Sequence, residues 1–388
     1  MITLLFILGF VLFVSLVIVH EWGHFIAARK NGVEVEEFGL GFPPRAKTLT
    51  KKNGTVYTLN WLPLGGFVKL KGEHDADMQK GSFGAASLKA KVVIMVAGVT
   101  MNLITAYLLF ILVALIGMPK VLDTQFTVKS DTKITRDYEN KGVILVDEVI
   151  KDSPAEKANI QFDDQIVSIN GVVVDSPEVL SQQTNALAGQ QVKIVIKHGD
   201  VTDSRTILLN KDDPEHKIPH LGVASSSAQT GIQVRRSTWS APIVAGGVIK
   251  DFTVETLKGL GDAAKGLGSL IAGGITGNKV ARQDGQKKAT EKVGGPIAIV
   301  QLLYEGSKLG VGFILFVIAF ISLTLAIMNI LPIPALDGGR LYTMLLFRAI
   351  KKPLTQLTEE RIQMTGFMVL MTLFILISIV DVTRLFHK

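Results

Sequence analysis

The stretch Val17–Gly32, VIVHEWGHFIAARKNG, ends an apolar run that begins at the first residue. Up to Val19 the run reads as a helix bound for a membrane. It then places His20, Glu21 and His24 where ionisable side chains are costly. His20 and His24 are spaced i, i+4, so a helix presents both imidazoles on one face, where they can share a metal. Glu21 is rotated by about 100° from His20 and stays close enough to take a proton from water held there. HExxH in this form is the pattern of zinc hydrolases, and it makes Zn2+ the expected cofactor.

A catalytic zinc needs a third protein ligand and an open position. His74 lies in a polar loop, and the remaining histidines, His198, His216, His220 and His387, fall on the opposite side in the topology below. The stronger candidate is Asp337, in NILPIPALDGGR. Pro332 and Pro334 stop the preceding helix, and Gly338 and Gly339 allow the turn after them.

Working outward, four segments are long enough, or nearly so, to cross a bilayer: about Ile2–Val19, Val92–Met118, Gly310–Leu331 and Met364–Val380. None carries Asp, Glu, Lys or Arg. The first lacks a basic leader and a small-residue cleavage pattern before His20, so it is expected to remain as a span. Hydrophobic residues make up 48% of the 388 positions, too many for an ordinary soluble protein of several domains.

The net charge of +7 is explained by loops rather than by a nucleic-acid surface. Residues 25–91 carry eleven Lys/Arg against six Asp/Glu, and residues 340–363 five against two. Both loops are therefore expected on the cytoplasmic side, with the two termini and the segment between spans two and three outside. Spans one and three then end on the same side, which lets Asp337 meet HEWGH. There is no cysteine, so disulfides and thiolate ligands are excluded.

Between the first two spans, Asn53-Gly54 marks a hairpin turn, with strands expected at Val56–Trp61 and Gly66–Leu70. Such backbone is expected either at membrane depth against protein or on the headgroups as an amphipathic hairpin. Ser153-Pro154 and Ser176-Pro177 read as helix starts, and Asn170-Gly171 as a second hairpin turn. Residues 224–236 read as a polar linker. Apolar residues recurring from Ile249 to Ile271 predict a helix, followed by a basic loop at 276–292.

Two resemblances follow. SPAEKANIQFDDQIVSING closely resembles the signature of bacterial PDZ domains. That resemblance places a peptide-binding edge at Gly142, Val143 and Ile144, and leaves open whether the domain captures C-termini or only filters by size. HEWGH, the Gly-rich β loop, AGVTMNL, the PDZ segment and NILPIPALDGG, in this order, resemble the site-2 protease family, nearest its bacterial RseP/RasP type.

The second resemblance implies a multi-pass α-helical protein of the inner membrane, with four transmembrane helices, a membrane-associated β-hairpin and an inserted α+β PDZ domain outside. Its parts would be 1–118 and 310–388 for the two halves of the protease core, 119–225 for the PDZ domain and 226–309 for a linker with an amphipathic helix. The implied activity is zinc-dependent cleavage of transmembrane segments in pre-trimmed single-span proteins, such as anti-sigma factors or signal-peptide remnants. It implies His20, His24 and Asp337 as zinc ligands and Glu21 as base. Asn102, Asn329, Pro332, Pro334, Gly65, Gly66 and Phe67 would line the substrate. The competing readings are a membrane metal-ion carrier and a catalytically idle PDZ scaffold.

Overall fold

A computed structural model of the chain describes residues 2–136, 139–162, 164–198, 201–211, 219–230, 233–276, 278 and 295–386. The chain divides into two compact units, Met1–Lys133 with Arg235–Lys388, and Ile134–Val234. Most of the basic loop expected at 276–292, together with His216 and His387, lies outside the described residues.

In the first unit, four helices among the described residues are long and apolar enough to cross a membrane. They are α1 (Ile2–Lys30), α2 (Leu88–Ile116), the span that ends at Ile330, and the last helix. Helix α1 therefore runs well past the apolar segment, and HEWGH sits inside it. Ser87 caps α2 by accepting from the Ala90 backbone N–H.

In lipid there is no hydrophobic drive for helices to associate, so close contact must come from small residues. Gly23 provides it between α1 and α2: a Cβ there would stand 2.6 Å from the Ala97 carbonyl oxygen. Further along, Leu16, Ala106, Phe110, Val113 and Ala114 join a buried cluster.

The two β segments of this unit form more than a hairpin. The turn at Asn53-Gly54 has both residues at positive φ, as a tight two-residue hairpin turn requires. Strand β1 (Val35–Lys52) and strand β2 (Thr55–Leu70) each fold over on themselves. Residues 37–40 pair with 56–59 on one side and with 66–69 on the other, while 45–52 pair with 55–60. The result is a four-ribbon sheet in the order 45–52, 55–60, 35–42, 66–70. Gly66–Leu70 is an outer ribbon, braced by a central one that is bonded on both sides.

The loop after β2 is pinned by charge. Lys91, at the start of α2, is 1% exposed and pairs with Asp75. Arg348 reaches the same carboxylate at 3.1 Å, and the Asp75 backbone N–H donates to Glu359. Burial alone would raise the Asp75 carboxyl; Lys91 and Arg348 outweigh it and hold Asp75 below the usual carboxylate range. Its contribution to stability is therefore full above the unfolded carboxylate pKa and is lost as pH falls through the lower folded value. Asp75→Ala leaves a buried ammonium without its nearest partner and is expected to cost about 3 kcal/mol. Denaturant unfolding in detergent at neutral pH measures it.

The second unit is an α+β domain whose sheet strands pair antiparallel. It carries strands β5 (Glu139–Val149), β6 (Gln165–Ile169), β7 (Val172–Val173), β8 (Gln191–His198), β9 (Val201–Leu208) and β10 (Val223–Thr230). Short strands β3 (Met118–Pro119), β4 (Lys133–Arg136) and β11 (Val234–Arg236) lie nearby in the chain. The sheet order is β10-β5-β6-β8-β9, with β7 hairpinned to β6 through Asn170-Gly171. Ile144, Val146, Ile166, Ile169, Ile194 and Ile196 are buried in one core. Helices α3 (Pro154–Lys157) and α4 (Pro177–Ala186) start as the sequence predicts, with Ser153 and Ser176 accepting from the backbones of Glu156 and Val179.

Two expectations need correcting here. The segment read as a linker contains β10 and β11. Its serine-rich composition hides the strand, because β10 gains its place through main-chain pairing with β5, from Val223↔Val149 to Thr230↔Glu139. The PDZ edge assigned to Gly142, Val143 and Ile144 is consequently no edge. At Ile144, β5 pairs with Ser227 of β10 on one side and Ile166 of β6 on the other. The outer strand on that side of the sheet is β10.

Back in the first unit, helix α5 (Ala241–Thr276) extends the predicted helix in both directions. Asp131 holds its start, accepting from the backbone N–H groups of Thr238 (2.7 Å) and Ser240 (3.0 Å) and from both hydroxyls. Phe252 packs on Phe110 of α2. Helix α6 (Pro296–Leu309) precedes the third span, α7 (Val311–Ile330), and α8 (Asp337–Ala349) and α9 (Gln356–Phe386) complete the chain.

Candidate metal centre

HEWGH is positioned by α1, and its two histidines are nearly buried. From the far end of the sequence, α7 stops at Ile330 and the chain turns through Leu331–Leu336 into α8, whose first residue is Asp337. The backbone there is packed so closely that a Cβ at Gly339 would stand against the Ile333 carbonyl. Only glycine lets α8 begin where it does, and this fixes where the Asp337 carboxylate points.

Three side chains that the sequence proposed as ligands meet. His20 Nε2 lies 3.0 Å from Asp337 Oδ2, His24 Nε2 lies 3.1 Å from the same oxygen, and the two Nε2 atoms are 3.2 Å apart. These are the only such metal-capable cluster of His, Asp and Glu among the described residues. The donor set fits zinc. Ligand atoms about 2.0–2.1 Å from a tetrahedral ion stand roughly 3.3 Å apart, close to this near-equilateral triangle. Two imidazole nitrogens both facing one carboxylate oxygen are an arrangement that a shared cation explains. His24 Nδ1 is 2.8 Å from the Ile94 carbonyl, so it must carry the proton, leaving the Nε2 lone pair for a metal.

His74 takes no part. Its ring faces Glu360 at 3.4 Å and Glu359 at 3.8 Å, which leaves Asp337 as the third donor.

Glu21 stands beside the triad, and the outer ribbon of the sheet passes directly over it. A Cβ on Gly66 would lie 3.5 Å from Glu21 Cγ. Gly65 has positive φ, and Phe67 is half-buried in the same ribbon. Asn329 is half-buried near the end of α7. Pro332 is exposed, and Pro334 abuts Gly366 of α9. A cavity of about 570 Å³ opens against Asp337, lined also by Glu73, His74, Arg340 and Glu360.

One residue was missed by the sequence reading. Gly98 of α2 faces the two rings, and a Cβ there would stand 2.6 Å from His20 Nε2 and against His24 Nε2. The metal cradle therefore requires a bare backbone at this position. The signal was the glycine in AGVTMNL, read only as part of a resemblance.

Comparison with known proteins bears directly on this arrangement. The sequence model of peptidase family M50 matches residues 8–373. This chain belongs to peptidase family M50, the site-2 proteases. It is 30% identical over 372 residues to a protein of Clostridium perfringens, covering 95% of this chain and 96% of that one. Relatives in Clostridium acetobutylicum and Campylobacter jejuni are each 29% identical and cover 97% and 95% of this chain and 96% and 91% of their own lengths. All three are named as zinc metalloproteases. Among solved structures, the PDZ domain of an SdrC-like protein from Listeria monocytogenes is 28% identical over 24% of this chain and 92% of its own, with a TM-score of 0.20. The M50 protein described here is thus an integral membrane zinc metalloendopeptidase.

Proposed function

We propose that this M50 protease hydrolyses transmembrane segments of single-span membrane proteins that have already lost their outer domains, in regulated intramembrane proteolysis at a bacterial inner membrane. The observation that carries the reading is the conjunction of the His20–His24–Asp337 triad, Glu21 and the outer ribbon Gly66–Leu70.

His20, His24 and Asp337 hold the zinc, whose Lewis acidity is the chemistry it supplies. Glu21 takes a proton from the attacking water and passes it to the leaving amide nitrogen. A substrate helix hides its peptide bonds in its own hydrogen bonds and must be opened before attack. The opened segment adds to the outer ribbon by main-chain pairing, which lays it across Glu21. Asn329, Pro332 and Pro334, in the segment leading to Asp337, are assigned to substrate lining on the family resemblance.

The ends of spans one and three, and so the active site, lie toward the cytoplasm, with the insert outside. Four spans without paired repeats disfavour the metal-carrier reading, and an intact HEWGH with Asp337 disfavours the idle scaffold. Comparing fragments of single-span membrane proteins in cells with and without the protein tests the proposal. Truncated membrane segments should appear only in its presence, and identical fragment sets would sink it.

The ribbon's role has its own test. Gly66→Val adds bulk 3.1 Å from the Gly39 carbonyl and close to Glu21. A displacement of about 1 Å at the reacting groups can cost ~10²-fold in rate. Turnover is expected to fall by roughly that factor with zinc content unchanged. A variant that cleaves a membrane-helix substrate at the original rate would detach the ribbon from substrate holding.

A further inference from the structure

Asn102 lies in α2, 1% exposed, on the far side of His20 from the metal triangle. Its Nδ2 is 3.2 Å from His20 Nδ1, while its Oδ1 is buried without a hydrogen-bond partner. The Asn102 main chain is fixed independently, since the Ser322 hydroxyl donates to its carbonyl at 2.8 Å.

Tautomer chemistry decides how the amide must sit. A neutral imidazole carries one proton on its two ring nitrogens. If Asn102 donates through Nδ2, His20 Nδ1 must accept, and the proton then sits on Nε2. That would aim a proton, rather than a lone pair, at the centre of the triangle. The second histidine does the reverse, donating Nδ1–H to the Ile94 carbonyl. The two ends of an Asn amide occupy nearly the same volume and exchange by a half-turn. After that turn Oδ1 accepts from His20 Nδ1–H and Nδ2 takes the buried position Oδ1 held, so it is the zinc-competent tautomer, not the count of satisfied groups, that selects this orientation.

We infer that Asn102 is a positioning residue for the metal site: its amide oxygen accepts from His20 Nδ1–H and holds the ring in the tautomer whose Nε2 is free to bind zinc. α2 then orients both ligands, His24 through the Ile94 carbonyl and His20 through a side chain about two turns further along the same face. This rests on His20 being a zinc ligand, and the test separates the two claims.

The full-length protein is purified in detergent, and zinc affinity is measured by competition with a chelator. Asn102→Leu keeps the volume and removes the acceptor. It is expected to weaken zinc binding by roughly 10–100-fold. Asn102→Asp can only accept, so it should bind zinc at least as tightly as the parent. Thermal unfolding of the metal-free forms identifies any variant that fails for lack of folding. If Asn102→Leu does not fold, Asn102→Asp alone decides, because a carboxylate cannot replace a donating amide nitrogen. Undiminished affinity in Asn102→Leu, or weakened affinity in a folded Asn102→Asp, would overturn the assignment. Zinc retention by His20→Ala would instead remove His20 from the ligand set.

Discussion

Glu21→Gln is expected to abolish proteolysis while leaving zinc in place. Glutamine keeps the size of the side chain and its capacity to hydrogen-bond. It cannot accept a proton from water. Loss of a general base costs typically 10²–10⁴-fold. Turnover of a single membrane-helix substrate by purified protein, with zinc measured in the same sample, gives both numbers. Parent-like turnover would take the base assignment away from Glu21. Equal loss of zinc and activity would mean that the side chain serves the metal rather than the proton.

Asp337→Ala should have the opposite signature. It leaves two imidazoles where three donors met within 3.0–3.2 Å of one another. Two protein ligands do not make a retained catalytic zinc site. Affinity is expected to fall by more than the roughly 10–100-fold that loss of an outer partner costs, and activity should disappear with it. Asp337→Asn keeps an oxygen but loses the charge, and should fall between. Metal analysis after dialysis against a weak chelator measures all three proteins. Full occupancy in Asp337→Ala would require another third ligand, with His74 the first to examine, although its ring is now turned to Glu359 and Glu360.

Much of this site was legible from local spacing and chain parity. An i, i+4 pair of histidines declares its own geometry. Counting spans brings Asp337 to the same membrane face as HEWGH across 313 residues. The hairpin at Asn53-Gly54 and the serine caps of the insert were legible because each is decided by two or three adjacent residues. What escaped the reading shares one cause: it depends on distant backbone rather than on side-chain type. Gly98 matters for the atom it lacks, and its need is visible only once α1 lies against it. Strand β10 has too little hydrophobic alternation to be seen, because its place is set by carbonyls and N–H groups on β5. The central ribbon at 35–42 is bonded on both sides, yet the sequence suggested a single turn and one partner. The placement of Asp337 depends on Gly338 and Gly339 meeting the carbonyls of Ile330, Leu331 and Ile333, which a turn signal alone does not specify.

The outer ribbon has a practical corollary for inhibitor chemistry. Gly66–Leu70 passes over Glu21, the neighbour of His20 in α1, and is backed by a ribbon bonded on both sides. A compound joining a zinc-chelating head, such as a hydroxamate, to a short extended backbone would grip metal and ribbon together. The same head on a stapled helix would reach the metal alone and forgo every main-chain hydrogen bond. Potency in such a series should therefore rise with the number of unblocked amides in the tail and drop when alternate amides are N-methylated. Tail lipophilicity, the usual lever for a target embedded in a bilayer, should matter less than this pattern of donors and acceptors.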